Sequence, residues 1–199
     1  MDERVAATAV VLAGGRSGRF GGQKLAVEIN GRPLLHHAVR AAAAACEGVL
    51  VVGAPSGLPV ELPDDLAGVP VVILDVDAYQ GPLVALVDAC AAVNSDRLLL
   101  VAGDMPELLP AVMRRLLAWE PGHEGACLIA GRWAQPFPMG LDRAATAARG
   151  TELVEAEERS LRALIDALPV ELVLEEEWRV LDPDGSTLRD IDHPDDLGN

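Results

Sequence analysis

Three cations, Arg16, Arg19 and Lys24, stand within nine residues of one another among five glycines, Gly14, Gly15, Gly18, Gly21 and Gly22. Glycines that accept positive φ let a ligand approach the backbone closely, and cations beside them neutralise an anion, so the combination suits a polyphosphate. A glycine-rich turn with solvated arginines is the plainer reading, but a turn requires fewer cations. Two familiar phosphate loops do not fit. No glycine here has glycines both two and five positions later, and Lys24 precedes Leu25 rather than a serine or threonine.

Carboxylates follow at the ends of other apolar runs. Residues 69–74 read as a strand that ends at Asp75, with Asp77 close behind. The carboxyl ends of parallel strands are where open α/β sheets bind ligands, so either aspartate can accept from a base or a ribose; a helix cap or turn explains each of them equally well. Residues 97–101 deliver Ala102-Gly103-Asp104-Met105-Pro106. An aspartate between a small residue and a proline-stiffened turn presents its carboxylate to a metal with little backbone freedom. In Asp190-Ile191-Asp192 the alternation sends both carboxylates to one face and Ile191 into the core. Mg²⁺ favours one or two carboxylates plus phosphate oxygens and waters, so Asp104 is the expected principal ligand and Asp192, at the end of a later strand, a second.

The elements that must position these groups alternate between strand-like and helix-like patterns. Residues 6–12, small and β-branched throughout, predict a central strand buried on both faces and feeding the glycine-rich loop. Strands are further predicted over 48–52, 69–74, 97–101, 125–130 and 170–174, and helices over 34–46, 82–93 and 110–119. Residues 25–29 alternate into an Asn30-Gly31 turn, and 54–68, with three prolines, suit an irregular connection. Pro82 suits a first helical turn, and Gly81 before it allows close packing on a ligand. His36 and His37 are adjacent on a helix and cannot face one site, so both are structural or solvated. Glu152, Glu155, Glu157 and Glu158 read as a solvated helix face, and Ser160 as a helix N-cap.

At 199 residues and 50% hydrophobic, the chain suits one sizeable core and hence one domain over residues 1–199. With 3% aromatic residues, that core is built from small aliphatics between a sheet and helices, an α/β architecture with a doubly wound, mostly parallel sheet in three layers. A formal charge of -15 argues against nucleic-acid and anionic-membrane partners, so any anionic ligand must be held by local charge and metal. The sequence has neither an 18-residue apolar run nor a basic-then-apolar start, which predicts a cytoplasmic protein. Cys46, Cys90 and Cys127 have neither disulfide nor zinc spacing and read as core thiols.

The order of motifs adds a resemblance. Leu12-Ala13-Gly14-Gly15, then Arg19, Gly21 and Lys24, resembles the signature of the Rossmann-like nucleotidyltransferases. With Gly81-Pro82-Leu83, Gly103-Asp104-Met105-Pro106 and the terminal Asp190-Ile191-Asp192-His193-Pro194-Asp195-Asp196-Leu197, the chain resembles the molybdenum cofactor guanylyltransferases over nearly its whole length. That resemblance implies transfer of GMP from GTP to molybdopterin with Mg²⁺ and release of pyrophosphate. It implies nucleotide binding by Leu12, Ala13, Gly14, Gly15 and Gly81, contact with guanosine by Asp75 rather than Asp77, phosphate neutralisation by Lys24 helped by Arg19, and metal binding by Asp104. Molybdoenzymes or other proteins of cofactor biosynthesis are the protein partners it implies. Gln135-Pro136-Phe137-Pro138-Met139-Gly140 resembles the stretch that builds the acceptor side of the cleft, and Ser160-Leu161-Arg162 the family's Ser-Leu-Arg helix.

The ending departs from the family pattern, with Asp190 and Asp192 where asparagines are common and His193 where threonine is. An Asp-Ile-Asp ending resembles the cytidylyltransferases for the same pterin, whereas Gly81-Pro82-Leu83 favours the guanylyl branch. A sugar-nucleotide pyrophosphorylase and a nucleotide-binding protein without transferase activity are two further readings of the same loop.

Overall fold

The computed structural model describes residues 4–14, 24–63, 66, 68–74, 80–193 and 196. In chain order the elements are β1 (Val5–Leu12), a 3-10 turn (Lys24–Ala26), β2 (Glu28–Ile29), β3 (Arg32–Pro33), α1 (Leu34–Ala45), β4 (Cys46–Val52), β5 (Val71–Leu74), α2 (Pro82–Ala92) and β6 (Arg97–Ala102). There follow α3 (Pro110–Leu116), β7 (Gly125–Ala130), β8 (Trp133–Asp142), α4 (Arg143–Glu155), α5 (Leu161–Ala167), β9 (Val170–Val173), α6 (Glu175–Trp178) and a second 3-10 turn (Ser186–Leu188).

Seven strands form one sheet in the order β5-β4-β1-β6-β8-β7-β9, and β2 and β3 form a separate small hairpin. β1 pairs in parallel with β4 and with β6, and β4 in parallel with β5. Among the described strands of that sheet only β8 runs the other way, antiparallel to both β6 and β7. β9 then pairs with β7 in parallel. The architecture is the doubly wound, mostly parallel three-layer sandwich that the alternating pattern predicts.

The two faces of β1 show how the layers are built. Ala7, Ala9 and Val11 face a core shared with α1, α3 and Trp178, while Val10 on the opposite face joins a core shared with α2 and α5. Period-2 alternation of small apolar residues therefore covers both faces, as a central parallel strand requires. α4 adds Ala145, Ala147, Leu153 and Val154 to the second core.

Some boundaries move. The alternation over 25–29 resolves into the Lys24–Ala26 turn followed by the two-residue β2, and α3 stops at Leu116 rather than Trp119. β8 and α4 carry no clear periodic signal. Pro136 and Pro138 interrupt the alternation of β8, and the buried positions of α4 are Thr146 and Gly150 rather than large apolar residues. Glu158 belongs to no helix face: its carboxylate accepts from the backbone N–H groups of Arg159 and Ser160, and these bonds, Ser160 first, hold its pKa below the ordinary glutamate value. Ser160 does cap α5, accepting from the Arg162 N–H at 3.1 Å.

Candidate active site at the carboxyl ends of the strands

Three parallel strands release the chain at one level. The backbone N–H of Gly53, after β4, donates to Leu74; that of Ala13, after β1, donates to Val52; that of Gly103, after β6, donates to Leu12, each at 2.9 Å. Leu12, Ala13 and Gly14 thus leave the core between the strand ends at Gly53 and Gly103. A Cβ on Gly14 would stand 3.1 Å from the Gly53 carbonyl oxygen, and one on Gly103 would stand 3.2 Å from that of Leu12. Glycine lets these backbones approach closely, and by Gly14 the chain is exposed.

Beyond that edge the structure brings together Lys24, Asp104 and Asp192, far apart in sequence. Lys24 opens the turn that packs against α1, and only 8% of it is exposed. Its ammonium donates to Asp104 Oδ2 at 2.7 Å and to Asp192 Oδ1 at 3.0 Å. Burial alone lowers the Lys24 pKa, but the hydrogen bonds and charges of Asp104 and Asp192 outweigh it and raise the pKa above the ordinary lysine value. The cation is therefore fully charged at neutral pH.

Asp104 is placed by β6 and the turn after it, as its surroundings in sequence predict. Asp192 corrects an expectation: it follows no strand. It lies on an extended segment after the second 3-10 turn, and that segment is fastened stepwise to the turn after β6. Asp182, 1% exposed, accepts from the N–H groups of Thr187 and Ser186 and from the Ser186 hydroxyl. Leu109 N–H donates to Thr187 Oγ1 at 3.2 Å, Arg189 pairs with Glu107 at 2.8 Å, and Ile191 N–H donates to the Asp104 carbonyl at 3.1 Å. Ile191 is 3% exposed. The alternation around it then turns Asp192 toward Lys24, while the Asp196 carboxylate accepts from the N–H groups of Asp192 and His193. Burial, followed by the charges of Asp192 and Asp104, raises the pKa of the neighbouring Asp190.

Gly81 stands at the N-terminus of α2 with φ 99°, and its own Cβ would lie 3.1 Å from Arg159 Cβ. α2 runs from the carboxyl edge of the sheet toward the start of β6, so Gly81 is at the same edge as Gly14 and Asp104. Gly15, Arg16, Arg19, Asp75 and Asp77 lie outside the described residues, as do Gly18, Gly21, Gly22, Pro194, Asp195 and Leu197. His36 and His37 are engaged by the backbone carbonyls of Glu61 and Ile29. Burial pushes Cys46 and Cys90 up to about 12 and Cys127 up to about 11, which makes all three unreactive core thiols.

The donor set can be tested against a divalent cation. Among the described residues no three His, Cys, Asp or Glu side chains converge as a metal cage. Asp104 and Asp192 nevertheless converge on one cation already, the Lys24 ammonium. Two convergent carboxylates fit Mg²⁺, which completes its shell with substrate phosphates and water rather than with protein alone.

A doubly wound sheet with closely packed glycines at its switch point, two carboxylates and a lysine is the framework of a nucleotide-handling α/β enzyme. The family model for the MobA-like NTP transferase domain matches residues 9–172, and the chain belongs to that family of nucleotidyltransferases. A relative from Chloroflexus aggregans, named "Probable molybdenum cofactor guanylyltransferase", is 29% identical, with 94% of this chain and 90% of that one covered. The crystal structure of molybdopterin-guanine dinucleotide biosynthesis protein A from Archaeoglobus fulgidus shares the fold at a TM-score of 0.73 and 18% identity, over 96% of this chain and 94% of that one. A protein from Mycobacterium tuberculosis, crystallised in complex with manganese, shares it at 0.61 and 20%, over 86% and 88%. Among the described residues no helix is long and apolar enough to cross a membrane.

Proposed function

We propose that this chain transfers GMP from GTP to molybdopterin with release of pyrophosphate, in the presence of Mg²⁺, as one cytoplasmic domain over residues 1–199. The observation that carries the reading is the meeting of Lys24, Asp104 and Asp192 at the edge of the sheet where Leu12–Gly14 emerge. The family and the name of its Chloroflexus relative support it.

The terminal phosphate of the acceptor attacks the α-phosphorus of GTP. A bond forms between that phosphate oxygen and the α-phosphorus as the bond from the α-phosphorus to the bridging oxygen breaks, and pyrophosphate leaves with the electron pair. No protein nucleophile takes part, so positioning and charge neutralisation are what the protein must supply. When bound, Mg²⁺ supplies Lewis-acid neutralisation of the reacting phosphate. Asp104 would hold it, with Asp192 as the second carboxylate. Lys24, helped by Arg19, neutralises the triphosphate and the departing pyrophosphate. Backbone groups of Leu12, Ala13 and Gly14 read the base, Gly15 binds the nucleotide beside them, Asp75 accepts from the nucleoside, and Gly81 binds the nucleotide at the start of α2.

The Asp190-Ile191-Asp192 ending favours a second reading, cytidylyl transfer to the same acceptor. Incubation with Mg²⁺, molybdopterin and each of the four NTPs, followed by product identification, separates the two. The expected result is a guanine dinucleotide of the pterin with stoichiometric pyrophosphate. Preference for CTP moves the chain to the cytidylyl reading, and failure to release pyrophosphate from any of the four overturns transferase activity.

A further inference from the structure

Trp133, at the tip of the β7–β8 hairpin, is 53% exposed. The guanidinium carbons of Arg132 and Arg162 lie 4.8 Å and 5.5 Å from the centre of its ring, both within cation–π range. Arg162 comes from α5 and also donates to the Ala134 carbonyl at 3.1 Å, which fixes the helix to the hairpin. Among the described residues neither arginine forms a salt bridge with a carboxylate. The chain has 31 acidic residues against 16 basic ones, and it pairs Arg115, Arg149, Arg179 and Arg189 with glutamates. Two arginines gathered on one exposed indole rather than on acids form a cationic aromatic platform in an acidic molecule.

The register locates the platform. β6 and β8 are antiparallel, and Leu100 pairs with Met139. Asp104 lies beyond Leu100 and Trp133 beyond Met139, both toward the carboxyl edge of the sheet. β8 stays paired with β7 through Ala134 and Trp133, past its last pair with β6, on the side of β6 away from β1. An irregularity in β8 absorbs three residues between its Met139–Cys127 and Trp133–Ala130 pairs, so along β7 Trp133 stands three residues, roughly 10 Å, past the Met139 level.

The geometry points to Trp133, Arg132 and Arg162 as the binding site for the planar heterocyclic end of the acceptor, a pterin. This assignment rests on the transferase reading proposed above. A fused heterocycle stacks on indole and guanidinium planes, while the outward N–H edges of the two arginines meet anionic substituents. Stacking and charge at the platform leave the acceptor's phosphate free to extend toward Asp104. Neither Trp133 nor the two arginines has a part in holding the nucleotide.

The test uses the full chain, with a pterin carrying a phosphate ester as the binding probe and molybdopterin as the kinetic acceptor. Trp133→Ala is expected to weaken probe binding at least tenfold and to raise the KM for molybdopterin by a similar factor. Its kcat should stay within about threefold and its MgGTP affinity within twofold. Trp133→Phe restores most of the loss, and the Arg132→Gln, Arg162→Gln double variant weakens the phosphorylated probe more than an unphosphorylated pterin. Thermal unfolding shows that the variants are folded. Unchanged probe affinity in Trp133→Ala and in the double variant overturns the platform, and so does a wild-type chain that does not bind the probe. Platform-dependent probe binding without GMP transfer by the wild type supports the platform and overturns the transferase reading instead.

Discussion

Lys24 is held between two carboxylates, and in the proposed function it also neutralises the triphosphate, so its removal acts on both. A cation and a phosphate charge about 4 Å apart interact by about 4 kcal/mol at an effective dielectric of about 20, before desolvation offsets part of that. Losing half of it is already more than tenfold in rate. Lys24→Met should therefore slow GMP transfer by more than tenfold, measured as steady-state pyrophosphate release. The same substitution removes the cation between Asp104 and Asp192. Mg²⁺ added without nucleotide should then raise the Tm of Lys24→Met more than that of the wild type; equal shifts would mean that the carboxylates do not share a metal. The two aspartates differ in turn. Asp104 sits on the rigid turn after β6 with its side chain 26% exposed, and Asp192 is 53% exposed. Asp104→Asn should abolish most transfer while MgGTP still binds, and Asp192→Asn should keep most of it. A folded, active Asp104→Asn would place the catalytic centre elsewhere.

Among the elements, the segment from Asp182 to Asp192 decides whether the second carboxylate reaches the site. Burial of the Asp182 carboxyl raises its pKa, but hydrogen bonds from Thr187 and then Ser186 outweigh this and leave it below the ordinary aspartate value. A depressed carboxylate stabilises the fold at every pH above the unfolded value of about 3.9, and that contribution is lost as pH falls through the lower folded value. Asp182→Asn should cost about 1–3 kcal/mol at pH 7, the scale of losing hydrogen bonds to a charged group. It should also flatten the acid limb of stability below about pH 4, read by denaturant unfolding across pH. An unaltered acid limb would assign the limb to other carboxylates. This segment also marks the limit of what the sequence discloses. β1, β6 and the turn carrying Asp104 are legible because apolar runs broken by Gly-Asp and Pro are local signals. The positions of Asp192 and Ile191 in the alternation are legible for the same reason. Attachment of Asp192 through Asp182, Thr187 and the Asp104 carbonyl is not, since each bond joins residues whose proximity only the tertiary fold creates. β8 is obscured by Pro136 and Pro138, although it joins β6 to β7 in the sheet and carries Trp133 at its start. The pairing of Lys24 with both aspartates had one faint trace in sequence, a lysine ending a cationic loop in a chain with acids at several strand ends.

For the whole molecule, the proposed function requires the site to draw a polyanion to a body of formal charge -15. A chain of this length has a radius of gyration of about 16 Å, so most of that charge acts on an approaching nucleotide from one to two such lengths away. In the proposed function Lys24, helped by Arg19, acts instead at contact distance. The Debye length falls from about 30 Å at 0.01 M salt to about 10 Å at 0.1 M. Over that interval the distant repulsion is largely screened while the contact attraction is not. MgGTP affinity and its association rate should therefore hold or rise between about 0.01 M and 0.1 M salt, then fall toward 1 M, where the Debye length of about 3 Å reaches the contacts themselves. Stopped-flow binding across that series measures both. A steady fall from the lowest salt upward is the behaviour of a ligand steered by a basic surface, and it would mean that the acidic body does not reach the site.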